Sequence, residues 1–294
     1  MLWAVLAVLA ALAWSFVNVL DKLIVTKYTR KPIVPILFIG AIGLLGSLVI
    51  YLIKGYSPMP PQNIVLALAI GGVTVSAILL YFKALQLEEV SRVIPLLYLS
   101  PLFILVMAAL FLGEIFQPVR YAGIFLIVLG AVLISTRNFR KMAFGKAAGF
   151  MVGSTMVGSV GAVLTKHLLN TSDVWTFFAY SRIGMFLALV PFFFINFSDL
   201  ASTVKKHGAR AVGVITLSES LGFAGAVLII FATKLGFVTL VTALSSIQAL
   251  FVLVLTVILS VYFPKIMKEE IGKKTLAIKL LSIILMFIGV ILIT

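Results

Sequence analysis

Ten apolar stretches of 17–26 residues follow one another along the chain, separated only by short polar connections. They cover residues 1–20, 33–53, 63–83, 91–112, 119–135, 147–167, 174–196, 211–233, 237–262 and 275–294. A helix needs about 20 mainly apolar residues to cross a hydrocarbon core of roughly 30 Å, and such a core admits only segments that bond their own backbone. The runs are continuous rather than alternating, and they far exceed the about 10 residues of a barrel strand. The expected fold class is therefore an all-α integral membrane protein with ten transmembrane helices. Composition agrees: 63% of residues are hydrophobic and 11% charged, against roughly 25% charged in soluble domains. That balance excludes a cytosolic enzyme, a secreted domain and a disordered regulator. Ala11-Leu12-Ala13 has the look of a signal-peptide cleavage site. The stretch before it lacks a basic region, however, and helical residues continue to Val25, so the first span reads as a retained helix.

The net charge of +14 comes from short clusters between the apolar runs, not from one stripe on a folded face, which argues against nucleic acid. The connections between spans 1–2, 3–4, 5–6, 7–8 and 9–10, with the adjoining helix ends, hold 18 of the 23 Lys and Arg residues. The positive-inside rule places those connections in the cytoplasm and both termini outside. The expectation is a multi-pass protein of the cell membrane whose basic edges meet anionic headgroups. Zero cysteines remove any disulfide framework, thiolate metal site or cysteine nucleophile. His167 and His207 are distant from any ligand cluster, so neither a metal nor a cofactor is expected. Monomer and homodimer are both open.

No connection is long enough to fold as a separate soluble domain. A basic linker at 137–145 divides the spans into five and five, giving units 1–136 and 146–294. Sliding the halves by 148 residues lays Ala84, Leu87, Val90, Val93, Leu96, Leu102, Phe103, Leu105 and Val106 on identical residues, and Ser91 on Thr239. Asp21-Lys22-Leu23 resembles Thr165-Lys166-His167 at a slightly different offset. An odd number of spans per unit forces the two halves into opposite orientations, the inverted-repeat arrangement of secondary transporters, with the site at the repeat interface.

Particular residues carry a family resemblance. Trp14-Ser15 followed by Asp21-Lys22, then Tyr81-Phe82-Lys83-Ala84-Leu85, Ser91, Pro101-Leu102-Phe103, Gly113-Glu114, Gly123 and Gly130 resemble the EamA family of the drug/metabolite transporter superfamily. The resemblance covers two tandem copies, the second more degenerate: Ala249 replaces the proline, and Glu270 follows an insertion. It implies a ten-helix carrier of small solutes and does not name the solute.

Ionisable residues inside a membrane cost at least about 2.5–3.5 kcal/mol each on insertion scales, so each is a functional candidate. Glu219 lies eight residues into span eight, between Ser218 and Ser220. It reads as a substrate or proton ligand, or as a structural residue bonded to a neighbouring helix. Arg182, in Tyr180-Ser181-Arg182 of span seven, cannot shed its proton and needs a carboxylate, carbonyls or water; it binds an anionic substrate group or pins helices. Counted from the 197–210 connection, the two differ by 6 residues in depth, roughly 9 Å along the membrane normal at about 1.5 Å per residue. Trp14, Asn18, Asp21 and Lys22 recur at helical spacing on span one, although Lys22 also suits an interfacial residue reaching for headgroups. Ser245 and Gln248 in span nine, and Tyr81, Tyr98 and Tyr180, complete the substrate-binding candidates. Asp21, Lys22, Lys83 and Lys166 are candidates for coupling or gating, with Lys83, Glu88, Glu89 and Arg92 forming a charge cluster at the third-to-fourth turn. Gly40, Gly43 and Gly46, and the Gly149-xxx-Gly153 and Ser154-xxx-Gly158 pairs, read as close-packing faces.

The leading functional reading is a secondary carrier for a small polar metabolite, an amino acid or an organic cation, working by alternating access. The alternatives are a flippase for a lipid-linked headgroup or a channel. An ATP-driven pump would need a Gly-rich loop ending in Gly-Lys-Ser/Thr, which the sequence lacks. An intramembrane enzyme is the weakest reading, because the nine acids are scattered.

Overall fold

The computed structural model describes residues 1–29, 33–87, 94–135, 145–262 and 273–294, and all regular structure among them is helical. The elements are α1 (Leu2–Leu23), which runs into a π-helical turn (Ile24–Tyr28), α2 (Ile33–Lys54), α3 (Pro61–Leu87) and a 3₁₀ turn (Ile94–Leu99) leading into α4 (Ser100–Leu112). They continue with α5 (Pro118–Ser135), α6 (Lys146–Thr171), α7 (Val174–Ile195), α8 (Phe197–Leu235), α9 (Val238–Ser245), α10 (Gln248–Tyr262) and α11 (Lys273–Ile293). Among the described residues, eight helical stretches are long and apolar enough to cross a bilayer, and Pro118–Ile134 and Ala277–Ile293 are shorter apolar helices. The protein is an all-α membrane protein. The linker up to residue 144, Glu88, Glu89, Ser91, Arg92, Glu269 and Glu270 lie outside the described residues, as do the side chains of Lys22, Lys273 and Lys274.

Three local departures from the sequence reading have physical causes. The expected connection at 197–210 is largely helical: α8 begins at Phe197 and changes direction at Gly208, whose φ of 60° and ψ of −153° break the helix in a region glycine alone enters freely. Span nine is two helices, because Ser246 and Ile247 donate to Ala243 and Leu244, three residues back, which tightens the chain into a 3₁₀-like joint. The fourth span opens as a 3₁₀ turn around Pro95 before Pro101 enters the first turn of α4, the position where a missing N–H costs nothing.

Helix α1 packs along α8, α3 lies against both α6 and α7, α2 packs on α7, and α5 pairs with α11. Where backbones meet, glycine sets the distance. A methyl at Gly71 would collide with the backbone of Ser181 and Met185, and one at Gly184 with that of Leu68, so α3 and α7 touch main chain to main chain. Gly123, Gly130 and Gly289 do the same between α5 and α11. Gly40, Gly43 and Gly46 pack against Leu189, Arg182 and Phe223 as expected, whereas Gly149 has nothing within 4 Å. The close-packing face expected at that end of α6 is therefore open space.

Candidate functional site

Helices α1, α2, α3, α7 and α8 enclose a cavity of about 270 Å³, and α1, α3, α4, α6, α7, α8 and α9 enclose a second of about 340 Å³. Trp14, Thr74, Ile78, Arg182, Met185 and Ala226 line both, so the two are lobes that meet at a waist. Each approaches the low end of the about 300–1,000 Å³ of small-molecule sites. The first lobe holds the charges: Asp21 from α1, Glu219 from α8 and Arg182 from α7.

The α1–α8 contact aims these side chains. Trp14, Val17 and Asp21 share one face of α1 at i, i+3 and i+7. On α8, Ser218 donates to Asp21 Oδ1 at 3.0 Å, the Trp14 indole N–H points at the Gly222 carbonyl at 3.4 Å, and Gly225 leaves room for the indole. Successive helical residues are rotated by about 100°. Ser218 can therefore face α1 while Glu219, 7% exposed, faces the lobe. No described residue hydrogen-bonds the Glu219 carboxyl.

Arg182 is held by its stem and not by an acid. Its methylenes lie against Gly43, its guanidinium carbon sits 4.6 Å from the Phe178 ring centroid, and one terminal nitrogen is 3.8 Å from Met185 Sδ. Its Nε has no partner among the described residues. The guanidinium thus has a cation–π contact and no carboxylate partner among the described residues.

The second lobe is chemically different. Thr74, Ser181, Thr233, Thr242 and Ser245 each donate their hydroxyl proton to a carbonyl of their own helix, at 2.8–2.9 Å. A hydroxyl has one proton, so these groups present methyls and lone pairs inward, beside Ile70, Ile104, Phe177 and Ile230.

Beyond the second lobe the helix ends interlock. Lys166 on α6 donates to the carbonyls of Thr233 and Gly236 at 2.9 and 2.8 Å, where α8 ends. Lys234 on α8 donates to the Leu169 carbonyl and lies 3.5 Å from that of Ser172, where α6 ends. Glu114, 3% exposed and placed by the left-handed Gly113 at the end of α4, accepts from the Val238 N–H at 2.8 Å and from the Thr239 N–H and hydroxyl at 3.1 and 2.8 Å. Unsatisfied carbonyls at helix C-termini attract cations, and free N–H groups at N-termini attract anions.

Of the residues singled out from sequence, Glu219, Arg182, Trp14, Asp21 and Ser245 line the lobes. Asn18 is exposed on another face of α1. Tyr81 stacks edge-on with Phe82, and Tyr180 packs against Tyr56 at 5.1 Å. Tyr98 packs into the cluster around Ala131 and Leu250, and Gln248 opens α10. Lys83 is exposed beside the Phe150 ring, Lys166 belongs to the interlock, and the Lys22 side chain lies outside the described residues. The sequence reading had no partner for Glu114 and counted Lys234 only as a connection charge. Their partners are 124 and 65 residues away, beyond any local signal.

Residues 1–136 match the EamA-like transporter family. They belong to it. The chain is 25% identical, over 215 residues, to the pseudopaline exporter CntI of Pseudomonas aeruginosa in two strains, covering 72% of this chain and 73% of the relative. A solved crystal structure with 20% identity superposes at a TM-score of 0.74, covering 99% of this chain and 95% of the other, which establishes a shared fold. The chain is a multi-pass membrane protein, and the family match of its first half and the exporter relative point to transport rather than catalysis.

Proposed function

We propose that the protein is a secondary carrier that moves a small polar metabolite across the cell membrane by alternating access. The observation that carries this reading is the two-lobed cavity, charged at one end and backed at the other by interlocked helix ends. A carrier needs a central site closed to one side at a time. The helix pairing supports two inverted five-helix units, 1–136 and 146–294. Exchanging α1 with α6, α2 with α7, α3 with α8 and α5 with α11 turns the α1–α8 contact into α6–α3 and the α2–α8 contact into α7–α3, while α2–α7 and α5–α11 map onto themselves. The basic connections put the Asp21 end in the cytoplasm and the Lys166–Lys234 end outside, with both termini outside. The similarity to an exporter favours outward movement.

The test uses paired cysteines in this cysteine-free chain. Cross-links between α6 and α8 near Lys166 and Lys234, and others between α1 and α3 near Asp21 and Lys83, should each block counterflow in proteoliposomes and exclude one another. Simultaneous formation of both without loss of transport overturns alternating access. Non-saturable flux indicates a channel, and movement of a lipid-linked probe between leaflets indicates a flippase.

A further inference from the structure

Helix α8 is longer than a membrane requires. Its residues 209–235 rise about 40 Å at about 1.5 Å per residue, which already exceeds a hydrocarbon core of roughly 30 Å. Helix α7, with 22 residues, is a complete span of about 33 Å by itself. Residues 197–207 therefore join two finished spans at one membrane face, and the break at Gly208 sets them apart from the span that follows. The basic connections assign that face to the cytoplasm, where anionic lipids concentrate.

At about 100° per residue, the segment has three faces. Leu200, Thr203 and His207 form the first. Leu200 packs on the buried cluster of Ile24, Val34 and Ile215, Thr203 is buried, and the His207 ring meets Tyr28 edge-on at 5.7 Å. Phe197, Ala201 and Val204 form the second face and are exposed. The Phe197 ring stands 5.6 Å from that of Phe193 on α7, which continues the stripe with exposed Phe194 and Ile195. Ser198, Ser202, Lys205 and Lys206 form the third face, all exposed, with the partly buried Asp199 at its edge. Arg210, just after the break, is exposed, and so is Lys27, whose ammonium lies 5.7 Å from the Tyr28 ring centroid. A helix held to the protein on one side, with an apolar stripe beside a basic one, suits neither water nor hydrocarbon alone. Helices of this pattern lie in the interface plane, their apolar side chains below the headgroups and their cations among them. A soluble acidic partner would meet the cations and leave the stripe uncovered.

We propose that residues 197–207 form an interfacial helix that binds an anionic phospholipid: Lys205 and Lys206, with Arg210 and Lys27, hold the phosphate, and Phe197, Ala201 and Val204 enter the acyl region. This surface is independent of whatever solute the protein carries.

Two measurements test it. Phosphatidylglycerol is titrated into the detergent-solubilised protein and retained lipid is counted by native mass spectrometry, with phosphatidylcholine and glycerol phosphate as controls. Phosphatidylglycerol should be retained at least ten-fold more strongly than either. A basic side chain near an anionic surface is worth about a five-fold change in binding. The combined Lys205→Gln, Lys206→Gln and Arg210→Gln variant should therefore lower retention at least ten-fold, and Phe197→Ser with Val204→Ser should lower it several-fold while the cations remain. Spin labels on single cysteines, in nanodiscs of equimolar phosphatidylcholine and phosphatidylglycerol, locate the helix. Labels at 201 and 204 should be relaxed by oxygen, and labels at 198 and 202 by a water-soluble nickel chelate. If the combined variant fails to fold, Lys206→Gln and the labels still decide. Equal retention of phosphatidylcholine, or of glycerol phosphate, overturns the proposal. So do wild-type retention in the combined variant, labels at 201 and 204 that respond to nickel as 202 does, and an acidic peptide that displaces the lipid.

Discussion

Lys166 and Lys234 cap each other's helices. Each ammonium reaches across from its own helix to the last carbonyls of the other, so α6 and α8 are tied at one end by bonds running in both directions. Hydrogen bonds to charged groups contribute about 1.5–3 kcal/mol. Lys166→Met and Lys234→Met should therefore each destabilise the protein by about 1–3 kcal/mol in equilibrium unfolding. The double variant should cost more than the sum, since each single variant also relieves the repulsion between the two ammonium groups, a relief that the double variant gains only once. Under the carrier reading, either variant should also raise maleimide labelling of a cysteine at position 233.

Glu114 should behave as a helix cap from outside the helix. Glu114→Ala strips Val238 and Thr239 of their acceptor, and each orphaned buried donor costs about 1–3 kcal/mol. Glu114→Gln keeps one oxygen and should recover about half the loss. Denaturation midpoints of the two variants, read side by side, check the order.

Glycine substitutions should divide sharply by position. Gly184→Ala drives a methyl into the Leu68 main chain, which a rotamer change cannot relieve, so it should cost at least the about 1–3 kcal/mol of overpacking. Gly149→Ala enters open space and should be neutral or stabilising by about 0.5–1 kcal/mol from helix propensity. Thermal stability at matched expression distinguishes them.

Glu219→Gln preserves shape and removes the charge. Counterflow should fall at least ten-fold at matched expression, or lose its pH dependence. Ser218→Ala removes only the bond that steadies Asp21, at about 1 kcal/mol, and should lower the rate several-fold. A Glu219→Gln variant with wild-type rate and pH profile would assign the residue to structure alone.

Orientation is checked independently. In intact cells an impermeant maleimide should react with a cysteine placed at Asn170 and leave one at Lys206 unmodified until the membrane is opened. The reverse pattern inverts the topology.

Much of this architecture was legible in the chain. Long uninterrupted apolar runs dictate helices, and isolated charges inside them marked Glu219 and Arg182, which do share a lobe. What eluded the sequence was rotation and partnership. Spacing allowed either Asn18 or Val17 to follow Trp14 on the inner face of α1, and one step of about 100° chose Val17. Tyr98 and Tyr180 are amphipathic enough for a site or a packing cluster, and packing claimed them. Gly149 and Gly71 are identical letters in apolar helices, yet only Gly71 meets another backbone. Helix-end bonds such as Glu114 to Val238 link distant segments and leave no periodic trace.

The inward-looking hydroxyls of the second lobe also bear on speed. Five of the hydroxyl protons along this lobe are already committed to helix carbonyls, so a solute beside them meets their lone pairs and hydrocarbon. Passage requires binding strong enough to enter and weak enough to leave. Under the carrier reading, a wall whose protons are already committed holds a passing solute weakly, so this stretch favours passage over retention.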